Sequence, residues 1–338
     1  MKSLNALYRP NDFNDVLGHK AIIKILSKQI ETGEYSNCYL FCGPSGCGKT
    51  TLARIFANKI NRGMGNPIEV DGASNNGVDN VRTIIESANE RSLDSEYKIF
   101  IIDEAHMITT QGWNAFLKCI EEPPQYTIFI FCTTDLQKLP KTIPNRCQVF
   151  NLCKISVFDI TNRLETICTS NGFLFNRDAL ELIAMYSNGN LRQAITYLDK
   201  CKDYGDITEG NIDEVLNLVG YRDLFNFINA IIDKNPEIMS LIDLISSKVD
   251  FNYFINELLN FTIELTKFCM FKDTSKTNLP DYLLEDAKYA TGVFQTQEEN
   301  ISFFKELTEK ILNIKLEMKK SGSEYDLIFK AMILSLIR

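Results

Sequence analysis

The stretch Phe41–Leu52, FCGPSGCGKTTL, constrains this chain more than any other. Gly43, Gly48, Lys49 and Thr50 occupy the fixed places of the pattern G-x-x-x-x-G-K-[ST]. The glycines let the backbone bend tightly and turn its N–H groups inward around a polyphosphate. The loop residues Gly43, Pro44, Ser45, Gly46, Cys47 and Gly48, with Lys49, Thr50 and Thr51, are therefore expected to hold a nucleotide. Lys49 supplies positive charge to the terminal phosphates, and Thr50 offers a hydroxyl to Mg²⁺. Such a loop needs a strand before it and a helix after it, so that a helix N-terminus points at the anion. CYLFC (38–42) is a short apolar run, and TLARIFANKI (51–60) has helical spacing, so both requirements are met.

About fifty residues on, KIFIIDEAH (98–106) supplies the matching half of an ATP site. Four apolar residues lead to Asp103, placed to hold Mg²⁺ or its water. Glu104 follows and is placed to polarise an attacking water. The bland alternative for Glu104 is a solvated acid at a strand end. Continuous apolar runs at Lys98–Asp103 and Thr127–Cys132 suit strands buried on both faces of a parallel sheet. Shorter strands are expected at Ile68–Val70 and Gln148–Leu152. Helices are expected at His19–Thr32, Val78–Arg91 and Thr110–Ile120, the last stopped by Glu121-Glu122-Pro123-Pro124. This alternation predicts an α/β domain over residues 1–152, with nucleotide at the C-terminal ends of the strands.

Beyond residue 153 the pattern is helical only. Ser156–Asn171, Asn176–Asn188, Asn190–Cys201 and Thr208–Leu218 read as a small helical lid, 153–218. Longer helices over Asn252–Phe271 and Asn300–Lys320 carry 3.6-residue apolar stripes and belong to a third region, 219–338. Asp273–Pro280 is a loop by composition.

Charge follows the same division. The chain has 36 Lys and Arg against 44 Asp and Glu, and the whole net charge of −8 falls after residue 152. That argues against a general nucleic-acid coat, though not against a local contact made by backbone N–H groups and a few arginines. No apolar run approaches a membrane span, and MKSLNALYRP lacks the apolar core of a signal peptide. Ten cysteines without an export signal suggest free thiols in a reducing compartment. They contain no C-x₂-C pair, and the histidines are His19 and His106 alone, so no zinc site is expected.

Four further residues stay open on spacing alone. Thr133 and Thr134 end a strand, where a hydroxyl can approach a γ-phosphate, but threonine also simply favours strands. Arg146, in Asn145-Arg146-Cys147, reads either as a surface ion pair or as an arginine finger. Arg192, near a helix start in the lid, reads either as a phosphate contact or as a surface residue.

Taken in order, YRPNDFNDVLG, GPSGCGKTT, ASNN, IIDEAH, NAFLKCIEEPP, TTD, PNRC and GNLRQA resemble the AAA+ clamp-loader ATPases. These are the bacterial gamma/tau subunits and the small subunits of replication factor C. The resemblance covers about residues 5–215, and EEPP and the PxRC segment mark this branch. It implies an AAA+ ATPase domain, a helical lid and an all-helical collar that assembles into a homo- or hetero-pentamer. It also implies an ATP hydrolase that opens a sliding clamp and loads it on primer–template DNA beside other loader subunits. By resemblance Glu104 is the catalytic base, Thr134 the sensor, Arg146 an arginine projected into the neighbouring subunit's site, and Arg192 the lid's phosphate sensor. Tyr8, Arg9 and Val16 lie in the segment beside adenine. Asn75–Asn76 and the helix start at Thr110–Gln111 match regions that track a DNA strand.

Two departures stand out. Gamma/tau subunits carry a four-cysteine zinc module after the phosphate-loop helix, where this chain has only NRGMGNP (61–67). Asn145 replaces the usual serine before the finger arginine. Two other readings remain: an AAA+ DNA-remodelling motor of the branch-migration or recombination type, and a structural loader subunit that binds nucleotide without turnover. The expected location is the cytoplasm of a bacterial or phage-infected cell, or another reducing compartment where DNA is replicated. The brevity of the chain suggests a compact loader.

Overall fold

A computed structural model describes residues 3–216, 219–273, 276, 277, 279, 283–321, 329–331 and 333. The chain divides into two compact units, Met1–Gly172 with Ile183–Asp199, and Phe173–Leu182 with Lys200–Arg338. The stretch 153–218, expected as a lid of its own, is shared between them.

The first unit runs α1 (Leu4–Leu7), α2 (Lys20–Thr32), β1 (Cys38–Cys42), α3 (Lys49–Ile60), β2 (Ile68–Asp71), α4 (Val78–Ala88), β3 (Lys98–Asp103), α5 (Thr110–Glu121), β4 (Thr127–Thr133), β5 (Gln148–Asn151) and α6 (Val157–Asn171). All the pairings are parallel, and the strand order is β2-β3-β4-β1-β5. Every residue of β4 is buried. The period-two geometry of a strand explains why TIFIFC is apolar throughout. Ile128, Ile130 and Cys132 join Leu52, Phe56 and Phe41 in the apolar layer on one face. Phe129 and Phe131 join Trp113, Phe116 and Phe100 on the other.

Local chemistry sets the element ends. The Thr109 hydroxyl caps α5 by accepting from the Gly112 N–H at 3.1 Å, and Ser156 caps α6 by accepting from the Asp159 N–H at 3.0 Å. Gly33 closes α2 in the left-handed conformation, φ +70°. Some bounds differ from the sequence expectation. α3 begins at Lys49, two residues early, because the loop itself forms the first turn. α4 stops at Ala88 rather than Arg91, and the Asn89 side chain donates to the Ile85 carbonyl at 2.9 Å. The short α1 is not evident from the sequence pattern.

The second unit holds only helices among its described elements. α7 (Arg177–Tyr186) and α8 (Leu191–Tyr204) have residues in both units, and α9 (Glu209–Leu216), α10 (Tyr221–Ile232), α11 (Ile238–Lys248), α12 (Phe251–Phe271), α13 (Leu284–Thr291) and α14 (Gln297–Ser321) follow. Phe227, Phe254, Phe304 and Leu258 form its core, and α12 packs along α14. The last two residues of the expected helix Thr208–Leu218, and 274, 275, 278 and 280 of the expected loop, lie outside the described residues. No helix among the described residues is long and apolar enough to cross a membrane.

Phe116 anchors α5 to the sheet, with no exposed surface and ring centroids 5.6–5.9 Å from Phe131, Phe129 and Trp113. Phe116→Ala is expected to destabilise the first unit by about 3–5 kcal/mol, measured by urea unfolding. A loss below about 1 kcal/mol would mean that α5 collapses onto the sheet without it.

Candidate active site

The phosphate loop leaves the C-terminal end of β1 and enters α3. Two contacts hold its start. The Gly43 N–H donates to the Thr133 carbonyl at 3.1 Å, and the Leu152 N–H donates to the Cys42 carbonyl at 2.7 Å. A side chain at residue 43 would put its Cβ 2.5 Å from the Leu152 carbonyl oxygen, so glycine is required by close approach. Gly46 is constrained twice, by φ +69° and by Asn190, whose Oδ1 lies 1.7 Å from the place a Cβ would take.

Lys49 is 6% exposed, and its ammonium donates to the Gly43 and Pro44 carbonyls, each at 2.9 Å. A buried cation held by neutral carbonyls at a helix N-terminus suits an anion bound in the loop. The Thr50 hydroxyl donates to Asp103 Oδ2 at 2.7 Å. A hydroxyl and a carboxylate in contact are the hard oxygen donors that Mg²⁺ takes. β4 lies between β1 and β3, so this bond reaches across an intervening strand.

Glu104 stands beyond β3 in the left-handed region, φ +47°, an uncommon conformation for a residue with a side chain. Its Oε2 is 3.4 Å from the donating Thr134 hydroxyl and 3.3 Å from His106 Nδ1. His106 Nδ1 also lies 3.3 Å from the Thr133 hydroxyl. The structure thus brings Thr134 to Glu104, and it adds His106, which the sequence reading considered only as a metal ligand. Its signal was its place two residues after Glu104. His19 is likewise new to the site. Its Nε2 donates to the Cys47 carbonyl at 3.1 Å, and nothing in its local sequence announces that contact.

Arg9 lies within electrostatic reach of Arg54, Glu69, Arg192 and Asp103. Desolvation and then the Arg54 charge lower its pKa, Arg192 adds to this, and Glu69 and Asp103 oppose it. Arg9 is therefore within electrostatic reach of both Arg192 and the acid at the end of β3. Tyr8 is held by α6: its carbonyl accepts from Arg163 Nη2 at 3.1 Å and its hydroxyl from Asn171 Nδ2 at 2.5 Å. Val16 is half-buried against the same apolar layer as Phe13. Burial pushes the Cys42, Cys47 and Cys132 thiols up. Among the described residues no group of three or more His, Cys, Asp or Glu is placed to hold a metal.

Arg146 sits apart from all of these. Its Nη2 is 2.6 Å from Glu121 Oε1 and its Nη1 donates to the Thr142 carbonyl at 3.1 Å. It precedes β5, whose register sets Gln148 beside Tyr39 and Asn151 beside Cys42. Arg146 is therefore at the N-terminal edge of the sheet, six residues before the Leu152 that touches the phosphate loop. The strand Gln148–Asn151 between them spans about 13 Å. The Asn75–Asn76 turn and the start of α5 do come together, because the Thr109 N–H donates to the Asn76 carbonyl at 3.1 Å.

A parallel β2-β3-β4-β1-β5 sheet, with a phosphate loop after β1, an Asp-Glu pair after β3 and a threonine after the strand between them, defines a nucleotide-binding domain of the AAA+ class. Comparison with known proteins agrees. The family described as "DNA polymerase III, delta subunit" matches residues 66–156, and "RCF1/5-like, AAA+ ATPase lid domain" matches 162–202. The "DNA polymerase III subunit gamma/tau" of Mycoplasma genitalium is 34% identical over 328 residues, 88% of this chain and 55% of that protein. The "DNA polymerase III subunit gamma" of Buchnera aphidicola subsp. Schizaphis graminum is 32% identical over 285 residues, covering 77% of each chain. The chain belongs to the family of DNA polymerase III gamma and gamma/tau subunits, and it spans about half the length of the Mycoplasma relative. In fold it resembles the Thermotoga maritima RuvB Holliday junction branch migration motor, with a TM-score of 0.54 and 23% identity over 67% of this chain and 79% of that one.

The contact of Asn190 with Gly46 is open to a direct check. Asn190 Oδ1 also accepts the Gln193 N–H at 3.0 Å, at the start of α8. Gly46→Ala should destabilise the first unit by about 1–3 kcal/mol, through strain and loss of that cap. Adding Asn190→Ala should then cost less than it does in the wild-type background. Strictly additive losses in urea unfolding would show that the glycine does not accommodate Asn190.

Proposed function

We propose that this chain is the ATP-hydrolysing motor subunit of a sliding-clamp loader, acting on primer–template DNA beside other loader subunits in a pentameric assembly. The family membership supports it, and the observation that carries it is the separation of Arg146 from its own phosphate loop. Arg146 stands at the opposite end of β5 from the loop of its own chain, with its guanidinium engaged by Glu121 and the Thr142 carbonyl. It is at the sheet edge, where it can serve a neighbouring subunit's site. Hydrolysis would then depend on docking of two subunits.

In this reading Lys49 and the loop N–H groups from Gly43 to Thr51 bind the ATP phosphates, and Tyr8, Arg9 and Val16 line the nucleotide. Thr50 and Asp103 would hold Mg²⁺, which supplies charge neutralisation at the β- and γ-phosphates when bound. Glu104 takes the proton of the attacking water, and Thr134 and His106 orient its carboxylate. Arg192 approaches the phosphates from the lid. Residues 1–152, 153–218 and 219–338 serve as ATPase domain, lid and oligomerisation collar, in the cytoplasm and without zinc. The Asn76 turn and the N-terminus of α5 offer adjoining backbone donors to a DNA strand, a contact that reads phosphate and shape rather than sequence. The branch-migration reading rests on a likeness of fold alone, and the intact Lys49, Asp103 and Glu104 weigh against a subunit without turnover.

Glu104→Gln should keep nucleotide affinity and lower steady-state phosphate release of the assembled complex by about 10²–10⁴-fold. Release near the wild-type rate would remove Glu104 from the role of base.

A mixing experiment tests Arg146. Arg146→Ala and Lys49→Ala chains should each be inactive alone. Mixed assemblies should regain phosphate release wherever an intact phosphate loop meets an intact arginine. No recovery at any ratio means that Arg146 serves its own site. Full turnover by Arg146→Ala alone means that the Glu121 ion pair, worth about 0–1 kcal/mol at a surface, is its whole role.

A further inference from the structure

The N-terminal edge of the sheet also holds a pair of thiols. Cys38 opens β1, and Cys147 immediately follows Arg146 and precedes β5. β1 and β5 run side by side with Tyr39 opposite Gln148, so one step back along that register sets Cys38 opposite Cys147. Their sulfurs are 2.6 Å apart. Neighbouring strands lie about 4.8 Å apart, inside the range of about 4.4–6.8 Å that Cα atoms of a disulfide span. A bond between these sulfurs therefore needs no movement of the backbone from one strand position to another. Both cysteines are free, Cys38 buried and Cys147 half-buried, so the second is the one a small oxidant reaches. The Cys38 thiol is pushed well above the ordinary range, first by its hydrogen bond to Cys147 and then by burial.

We infer that Cys38 and Cys147 form a dithiol modification site, which hydrogen peroxide closes into an intramolecular disulfide that ties the Arg146 segment to β1. The steps balance. The Cys147 thiolate attacks one peroxide oxygen, the O–O bond breaks, and the protein keeps a sulfenic acid while the other oxygen leaves as water after protonation. Cys38 sulfur then attacks the Cys147 sulfur, the S–O bond breaks, and the Cys38 proton leaves with the hydroxyl as a second water. Two thiols are oxidised and one peroxide is reduced. Arg146 is the adjacent residue, and its guanidinium rests on Glu121 and the Thr142 carbonyl. Its swing toward a neighbouring subunit is restricted once Cys147 is bonded to a core strand. This last consequence rests on the trans reading of Arg146, whereas the bond itself does not.

The test treats the reduced full-length chain with hydrogen peroxide, counts thiols under denaturing conditions and maps cross-linked peptides by mass. Wild type starts with ten free cysteines and should lose two, with Cys38 joined to Cys147 in one peptide pair. Cys38→Ala and Cys147→Ser should each lack that pair, and dithiothreitol should restore all ten thiols in wild type. Cys119, also near Cys38, is the competing partner, and Cys119→Ser should leave the link intact. Cross-linking through Cys119, or sulfenic acid alone without a bond, would overturn the proposal. In the assembled complex, oxidation should abolish phosphate release by wild type, reversibly, and spare Cys38→Ala. A mapped link with unchanged release would overturn the effect on Arg146, while a reduced wild-type complex without release would instead overturn the ATPase reading.

Discussion

The hydrogen bond from the Thr50 hydroxyl to Asp103 depends on, and reports, the central constraint of this fold. Thr50 belongs to the first turn of α3 and Asp103 to the end of β3, and β4 runs between β1 and β3. The two residues meet because β1 and β3 end within about one register step of each other on β4, Cys42 opposite Thr133 and Ile102 opposite Phe131. β4 makes that possible by being wholly apolar. A strand buried on both faces can be covered on each side, so the helices on either face fix the height at which every loop emerges. Thr133 and Thr134, at its end, then stand beside the phosphate loop and the Asp103–Glu104 pair.

The same geometry separates two kinds of residue. The phosphate loop and the residues in contact with the acid pair lie at the C-terminal ends of the strands: Thr50, Asp103, Glu104, Thr134 and His106. Arg146 and its Glu121 partner lie near the opposite end, at the start of β5. A parallel sheet has two chemically distinct edges, and its strands are too long for one side chain to bridge them. The proposed division of labour between subunits follows from that length. The Cys38–Cys147 pair belongs to the second edge, which is why oxidation there would act on assembly-dependent chemistry and leave the phosphate loop untouched.

One of the left-handed residues of the chain falls at the acid pair. Glu104 holds a left-handed conformation, and its N–H donates to Asp103 Oδ1 at 3.0 Å. Gly72 packs against the same turn, where a Cβ would lie 2.7 Å from the Asp103 carbonyl oxygen. The turn is over-determined by these contacts, and the adjacent acids point in different directions as a result. One meets the Thr50 hydroxyl and the other Thr134 and His106.

Sequence by itself determined the parallel α/β sheet, the phosphate loop and the acid pair. Each is written in contiguous residues: apolar runs for doubly buried strands, glycines at fixed spacing, and acids at a strand end. It also placed the elements from β1 to α6 to within a few residues, because caps and breakers act locally. Tertiary structure decided the rest. The contacts of His19 with Cys47, Asn190 with Gly46 and Arg163 with Tyr8 join residues 28 to 155 positions apart, and no local pattern encodes such distances. The same holds for the two cysteines, 109 residues apart, which the sequence marked only as free thiols. Only the β1–β5 register sets them side by side, because strand pairing is chosen by the packing of the whole sheet and not by either strand.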